Sequence, residues 1–125
     1  MLEISGLCKS FGGLQASQSV TLTVPRGGIT SLIGPNGAGK TTLFALITGF
    51  HRPDSGSVRF LGEDITGLPP EAIARRGMIR TFQTVQPFAG QTVRENIAVG
   101  AHLKIRGRAE ALAKAEAVAG QVGLL

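Results

Sequence analysis

A single cysteine, no tryptophan and no tyrosine mark this 125-residue chain, whose aromatics are six phenylalanines. One thiol, Cys8, excludes an internal disulfide and fits a reducing compartment; by residue type it reads as a small buried hydrophobe. No run of 18 apolar residues occurs, so no membrane-spanning helix is expected. The N-terminus has no basic segment followed by an apolar run, so no export signal is expected either. Thirteen Lys and Arg against eight Asp and Glu give a net charge of +5, but the cations are scattered, densest at Arg75, Arg76 and Arg80. No basic run is interleaved with aromatics, so a nucleic-acid partner is not expected. Repeats and low-complexity segments are also missing.

What remains is a chain built to fold. Its hydrophobic fraction is 42%, which asks for a core, and its length suits one domain of ordinary size. The most informative stretch is Gly34-Pro35-Asn36-Gly37-Ala38-Gly39-Lys40-Thr41-Thr42, which reads G-x-x-x-x-G-K-[ST], the phosphate-binding P-loop. Ile29–Ile33 before it reads as a buried strand, and Leu43–Ile47 after it as a buried helix. Glycines 34, 37 and 39 let the backbone turn its N–H groups toward one point without a Cβ in the way. With the positive end of the helix dipole, those groups form a nest for a polyphosphate. Ala38 continues that backbone. Lys40 adds a charge that reaches β- and γ-phosphates, Thr41 offers a hydroxyl to Mg²⁺, and Thr42 offers a further donor. The pattern points to nucleotide binding.

In chain order, Leu2-Glu3-Ile4 reads as a short strand. Phe11, before Gly12-Gly13, serves either ordinary packing or as a ring face on which a nucleobase stacks. Ser19–Val24 alternates as a strand, and Pro25-Arg26-Gly27-Gly28 turns it into Ile29–Ile33, giving a hairpin that feeds the phosphate site. Ser57–Leu61 reads as a strand and Gly62-Glu63-Asp64 as a turn. Pro69–Gly77 reads as a short helix with both ends marked. Met78–Phe82 reads as a strand ending at Gln83. Thr92-Val93-Arg94-Glu95 is a capping box opening a helix over Val93–Ala101, broken at Ile105-Arg106-Gly107. A second helix runs from Arg108 to Gln121, with helical spacing at Leu112, Ala115, Ala119 and Val122.

The P-loop, followed by T-G-F-x-x-P-D-S-G-S-V-R-F-x-G-x-D-I-T at 48–66, resembles the ATP-binding subunits of ABC transporters. Arg80-Thr81-Phe82-Gln83, Thr92-Val93-Arg94-Glu95-Asn96-Ile97 and Phe11-Gly12-Gly13-Leu14 narrow the resemblance to the ATPases of branched-chain amino acid importers. It covers nearly all of the chain. The resemblance implies an α/β fold: a P-loop NTPase-like core with an N-terminal antiparallel β-hairpin region over 1–91 and the start of a helical subdomain over 92–125, truncated. It implies ATP and Mg²⁺ as ligands, held by Asn36 through Thr42. Phe11 takes the place of the adenine-stacking aromatic, and Gln83 that of the glutamine that contacts Mg²⁺ and water and senses the γ-phosphate. Read without the resemblance, Gln83 is a solvent-facing residue at a strand end. Thr84–Gln91 lie where family members meet the membrane permease subunits. Further implied partners are a second ATP-binding subunit and, indirectly, a solute-binding protein, at the cytoplasmic face of the cell membrane.

Departures from the family pattern matter as much. Members run to roughly twice this length. The chain has no L-S-G-G-Q signature, no apolar strand ending in Asp-Glu and no later His switch; His51 and His102 stand in the wrong places and read as surface residues. Asp54, Glu63, Asp64 and Glu71 follow turns or open a helix. No catalytic residue is therefore expected in these 125 residues, which look like an N-terminal fragment or a truncated product. The alternatives are a stand-alone nucleotide-binding module without hydrolysis and an ABC-type ATPase acting on nucleic acid or the ribosome. The transported solute is not legible, because in this family other subunits choose it.

Overall fold

A computed structural model describes all 125 residues, which divide into two compact units, Met1–Arg80 and Thr81–Leu125. In the first, β1 (Leu2–Phe11) and β2 (Leu14–Val24) form a long antiparallel hairpin closed at Gly12-Gly13. Then come α1 (Lys40–Ile47), β3 (Ser55–Phe60), the two-residue β4 (Glu63–Asp64) and α2 (Pro70–Arg75). The sheet order is β2-β1-β3-β4, antiparallel throughout. Alternation places Ile4 and Val58 on the same face of paired strands, and they meet Leu7 and, from α1, Leu43, Leu46 and Ile47. Ile65 and Ile73 complete this core. Glycine is required just past α1. Gly49 has φ +85°, and a Cβ there would strike the Leu68 carbonyl oxygen and come within 2.9 Å of Ile73 Cδ1.

The expected hairpin between Ser19–Val24 and Ile29–Ile33 does not form: β2 pairs with β1 instead. Ile29–Ile33 and Met78–Phe82, both read as strands, carry no strand structure. The reason is physical. A strand is defined by a ladder to a neighbour, and neither stretch pairs with a strand of the sheet. Three isoleucines in them face solvent, Ile29 at 100% exposed, Ile33 at 91% and Ile79 at 75%, whereas Met78 packs against the core. The residues read as a turn at 63–64 instead form β4 against Arg59 and Phe60.

Open backbone edges and bare isoleucines promote association. The isolated chain is therefore expected to self-associate or melt without cooperativity in sedimentation and thermal-melting experiments. A compact monomer melting cooperatively at about 45–65 °C, the mesophile range, would refute this.

The second unit is a helix pair, α3 (Val93–Ala101) and α4 (Arg108–Gln121). Both match the ranges read from sequence. Ala98, Ala111 and Ala115 form its core, small residues that let two helices approach closely, with Ile97, Ile105 and Leu112 around them. The buried stripe of α4 runs through Ala111, Ala115 and Ala119; Val122 is exposed. The capping box is complete: Glu95 N–H donates to Thr92 Oγ1 at 3.2 Å, and Thr92 N–H to Glu95 Oε2 at 2.9 Å. That N–H, then the Thr92 hydroxyl and Arg108, hold the Glu95 carboxyl below its ordinary pKa. A depressed acid stabilises the fold above its unfolded pKa and loses that effect as pH falls through the folded value. The Glu95 amide resonance in NMR is expected to hold steady through neutral pH and to move only below the range of a free glutamate. A midpoint at or above that range would overturn the cap's electrostatic role.

No helix is long and apolar enough to cross a membrane.

Candidate functional site

The P-loop spans the turn from Ile33 into α1. Ala38 N–H donates to the Pro35 carbonyl at 3.2 Å, closing a tight turn in which Gly37 has φ +84°. Gly39, at φ +91°, is the residue before the helix, and a Cβ on it would collide with the Ala16 carbonyl oxygen of β2. Only glycine fits there on both counts. The close approach brings the P-loop against the start of β2.

Between them lies a concavity of ≈ 300 Å³. Asn36, Gly37, Gly39, Lys40, Thr41 and Thr42 line it from the loop and helix side, and Leu14, Gln15 and Ala16 from β2. Ala38 lines the adjoining hollow with Leu32 and Ile33. Leu43 N–H makes the first helical bond, to Gly39 O at 2.9 Å. The N–H groups of residues 40–42 therefore have no intrahelical acceptor, and no side chain caps the helix or places an acid in its first turn. Lys40 Nζ donates to the carbonyls of Gly34 and, at 2.8 Å, Pro35. Its ammonium is thus held at the loop by partners that are neutral and exchangeable.

The donor set fits a polyphosphate: backbone amides at the positive end of a helix, two hydroxyls and an ammonium. No carboxylate lines the concavity to repel it. For a metal the fit is different. No group of three or more His, Cys, Asp or Glu side chains could hold an ion, so the concavity could offer a metal only neutral oxygens, the Thr41 hydroxyl among them.

Phe11 ends β1 and is 42% exposed. It does not line the concavity, although Leu14, three residues on, does. Gln83 is exposed and belongs to the second unit. There Val85, Pro87 and Phe88 line an apolar hollow with Val93 and Ile97. Asn96 staples this segment to α3: its Oδ1 accepts Phe88 N–H at 2.8 Å, and its Nδ2 donates to Phe88 O and Thr92 O. His102 Nδ1 lies 2.9 Å from the Ile105 carbonyl at the end of α3.

Sequence reasoning missed Leu14, Gln15 and Ala16 as part of the site. The signal available was the Gly12-Gly13 turn, which folds β2 back over β1.

The ABC transporter family profile matches residues 17–125. The chain is 51% identical over 102 residues to the high-affinity branched-chain amino acid transport ATP-binding protein BraF of Pseudomonas aeruginosa, covering 82% of this chain and 40% of that protein. It is 45% identical to LivG, the protein of the same description in Escherichia coli, covering 85% of this chain and 42% of LivG. A crystal structure of the ADP conformation of an ATP-binding cassette of an ABC transporter superposes with a TM-score of 0.75 at 39% identity, covering 90% of this chain and 44% of that one. The chain thus spans about two fifths of the length of these relatives. Its fold is a partial P-loop NTPase fold of the kind found in such cassettes, and the chain belongs to the ABC transporter family.

Proposed function

We propose that the chain binds MgATP as part of the nucleotide-binding subunit of an importer, with branched-chain amino acids as the transported solute. The observation that carries this is the P-loop held against β2 by the Gly39–Ala16 approach, with the first-turn amides, Lys40, Thr41 and Thr42 around one hollow. Asn36 through Thr42 hold the phosphates, and Gly34 supplies the turn and a carbonyl on which Lys40 rests. A magnesium ion would screen the phosphate charge, and Thr41 would offer it a hydroxyl; the family resemblance gives Gln83 a metal-contacting role in the complete subunit. Phe11 supplies the ring on which adenine stacks. The relatives' role in branched-chain amino acid transport supports the solute, and the family resemblance supports the importer setting, a second ATP-binding subunit and an indirect link to a solute-binding protein. The apolar hollow at Val85–Phe88, kept in shape by Asn96, suits contact with a membrane permease subunit at the cytoplasmic face. In the complete subunit, hydrolysis of ATP drives import. Residues 1–91 then form the first part of the ATP-binding core, and 92–125 open the helical subdomain.

Calorimetric titration of the chain with MgATP and with magnesium triphosphate tests this. Both are expected to bind. Phe11→Ala is expected to weaken ATP by about 2- to 13-fold, the equivalent of an aromatic stack of about 0.5–1.5 kcal/mol, and to leave triphosphate alone. No heat from either ligand would overturn the nucleotide reading. Equal losses for ATP and triphosphate would make Phe11 a packing residue.

A further inference from the structure

Phe11 is held by two neighbours. The Lys9 ammonium stands over its ring, 5.3 Å from the centroid. The His51 ring meets it in a T-shaped contact, centroids 5.2 Å apart and planes at 71°. Each neighbour is itself fixed. Lys9 pairs with Asp54 at 3.4 Å, and Asp54 also accepts the Ser10 N–H at 2.8 Å. The backbone N–H of His51 donates to Ala45 O at 3.1 Å, which anchors the main chain that carries the imidazole. Ala45 lies in α1, whose other end opens from the P-loop. The ring is therefore tied to β1 through Lys9 and to the phosphate-binding helix through His51.

We infer that Lys9 and His51 are positioning residues for the nucleobase, holding the Phe11 ring in one orientation before a base arrives. The inference rests on the reading of Phe11 as the stacking residue. An exposed phenylalanine on a strand end has more than one rotamer open to it, and freezing it on binding would subtract from affinity. Here a cation on one face and an imidazole in T-shaped contact restrict it in advance, both favourable geometries for an aromatic ring. The ammonium also offsets the negative charge of the ring's π-cloud, which eases contact with the negative π-face of a purine. Asp54 keeps the ammonium in place, and its carboxyl is held below the ordinary range by the Ser10 N–H and by Lys9.

The test uses the full 125-residue chain, titrated calorimetrically with MgATP and with magnesium triphosphate. Comparing the two dissociation constants within one preparation removes any dependence on the fraction of competent protein. Lys9→Met and His51→Ala are each expected to weaken ATP by about 2- to 10-fold, the range that ordering one side chain accounts for, without moving triphosphate. Lys9→Arg keeps a cation and His51→Phe keeps an aromatic ring; both are expected to restore parental affinity for ATP. In a Phe11→Ala background, neither Lys9→Met nor His51→Ala should cost anything further, because the ring they position is gone. Parental ATP affinity in Lys9→Met and His51→Ala, alongside a loss in Phe11→Ala, would overturn the positioning role and leave the stacking role standing. No loss in Phe11→Ala would overturn both. Equal losses for ATP and triphosphate in the Lys9 and His51 variants would assign them to the fold and overturn the inference.

Discussion

Lys40→Ala is expected to lower the affinity of the chain for MgATP by roughly 10- to 100-fold. The ammonium stands at the loop, bonded to the carbonyls of Gly34 and Pro35. Both are neutral acceptors, so exchanging them for a phosphate adds the attraction of opposite charges to the hydrogen bonds the ammonium donates. Losing such a bond costs about 1.5–3 kcal/mol. The amides of the first turn of α1 remain in the variant, so binding is weakened and not abolished. Calorimetry of both forms decides it. An unchanged dissociation constant would remove Lys40 from the phosphate site and leave the loop a glycine-rich turn.

Without turnover is how this 125-residue chain is expected to bind MgATP. Hydrolysis requires a group that orients water against the γ-phosphorus and charge that stabilises the transition state. The chain's acids have other occupations. Asp54 accepts from Ser10 and Lys9, Asp64 from Thr66, and Glu63 pairs with Arg76. Glu95 caps α3, and Glu116 pairs with Arg94. Glu71 and Glu110 sit in first turns of other helices, and Glu3 is on β1. None lines the hollow at the P-loop. Gln83, the proposed Mg²⁺ and water contact, carries a neutral amide, a poor general base. Missing positioning and transition-state contacts costs factors of about 10³ or more in rate. Phosphate release over hours, with Lys40→Ala as background, is the measurement. Steady Lys40-dependent turnover near about 1 s⁻¹, ordinary for an enzyme, would reveal a catalytic residue among these 125.

How much of this was legible in sequence follows the range of each signal. Local signals were read well. Thr92 and Glu95 announce the start of α3 three residues apart, and Gly107 marks the start of α4. The P-loop is legible for the same reason, since its glycines and Lys40 are consecutive. Signals that depend on distant pairing were misread. Pro25-Arg26-Gly27-Gly28 looks like a hairpin turn, yet β2 finds its partner across Gly12-Gly13. Ile29–Ile33 and Met78–Phe82 have the composition of strands, but composition cannot supply a neighbour. Leu14, Gln15 and Ala16 enter the site only because the hairpin carries them there. The one local mark is the Gly12-Gly13 turn just before them.

Glycine at both ends of α1 carries a consequence for insertions and deletions. Gly39 sits against the Ala16 carbonyl and Gly49 against that of Leu68, each too close for a Cβ. The segment between them has its length set by two fixed stops. One residue added within Lys40–Ile47 would lengthen the helix by about 1.5 Å and turn everything beyond it by about 100°. Leu46 and Ile47 would rotate out of the sheet's core, or Thr41 and Thr42 out of the hollow; no intermediate register keeps both. Point changes on the helix's exposed face, such as at Phe44, have no such geometric penalty. Among related chains, exposed positions such as Phe44 should vary in residue type while the stretch stays constant in length.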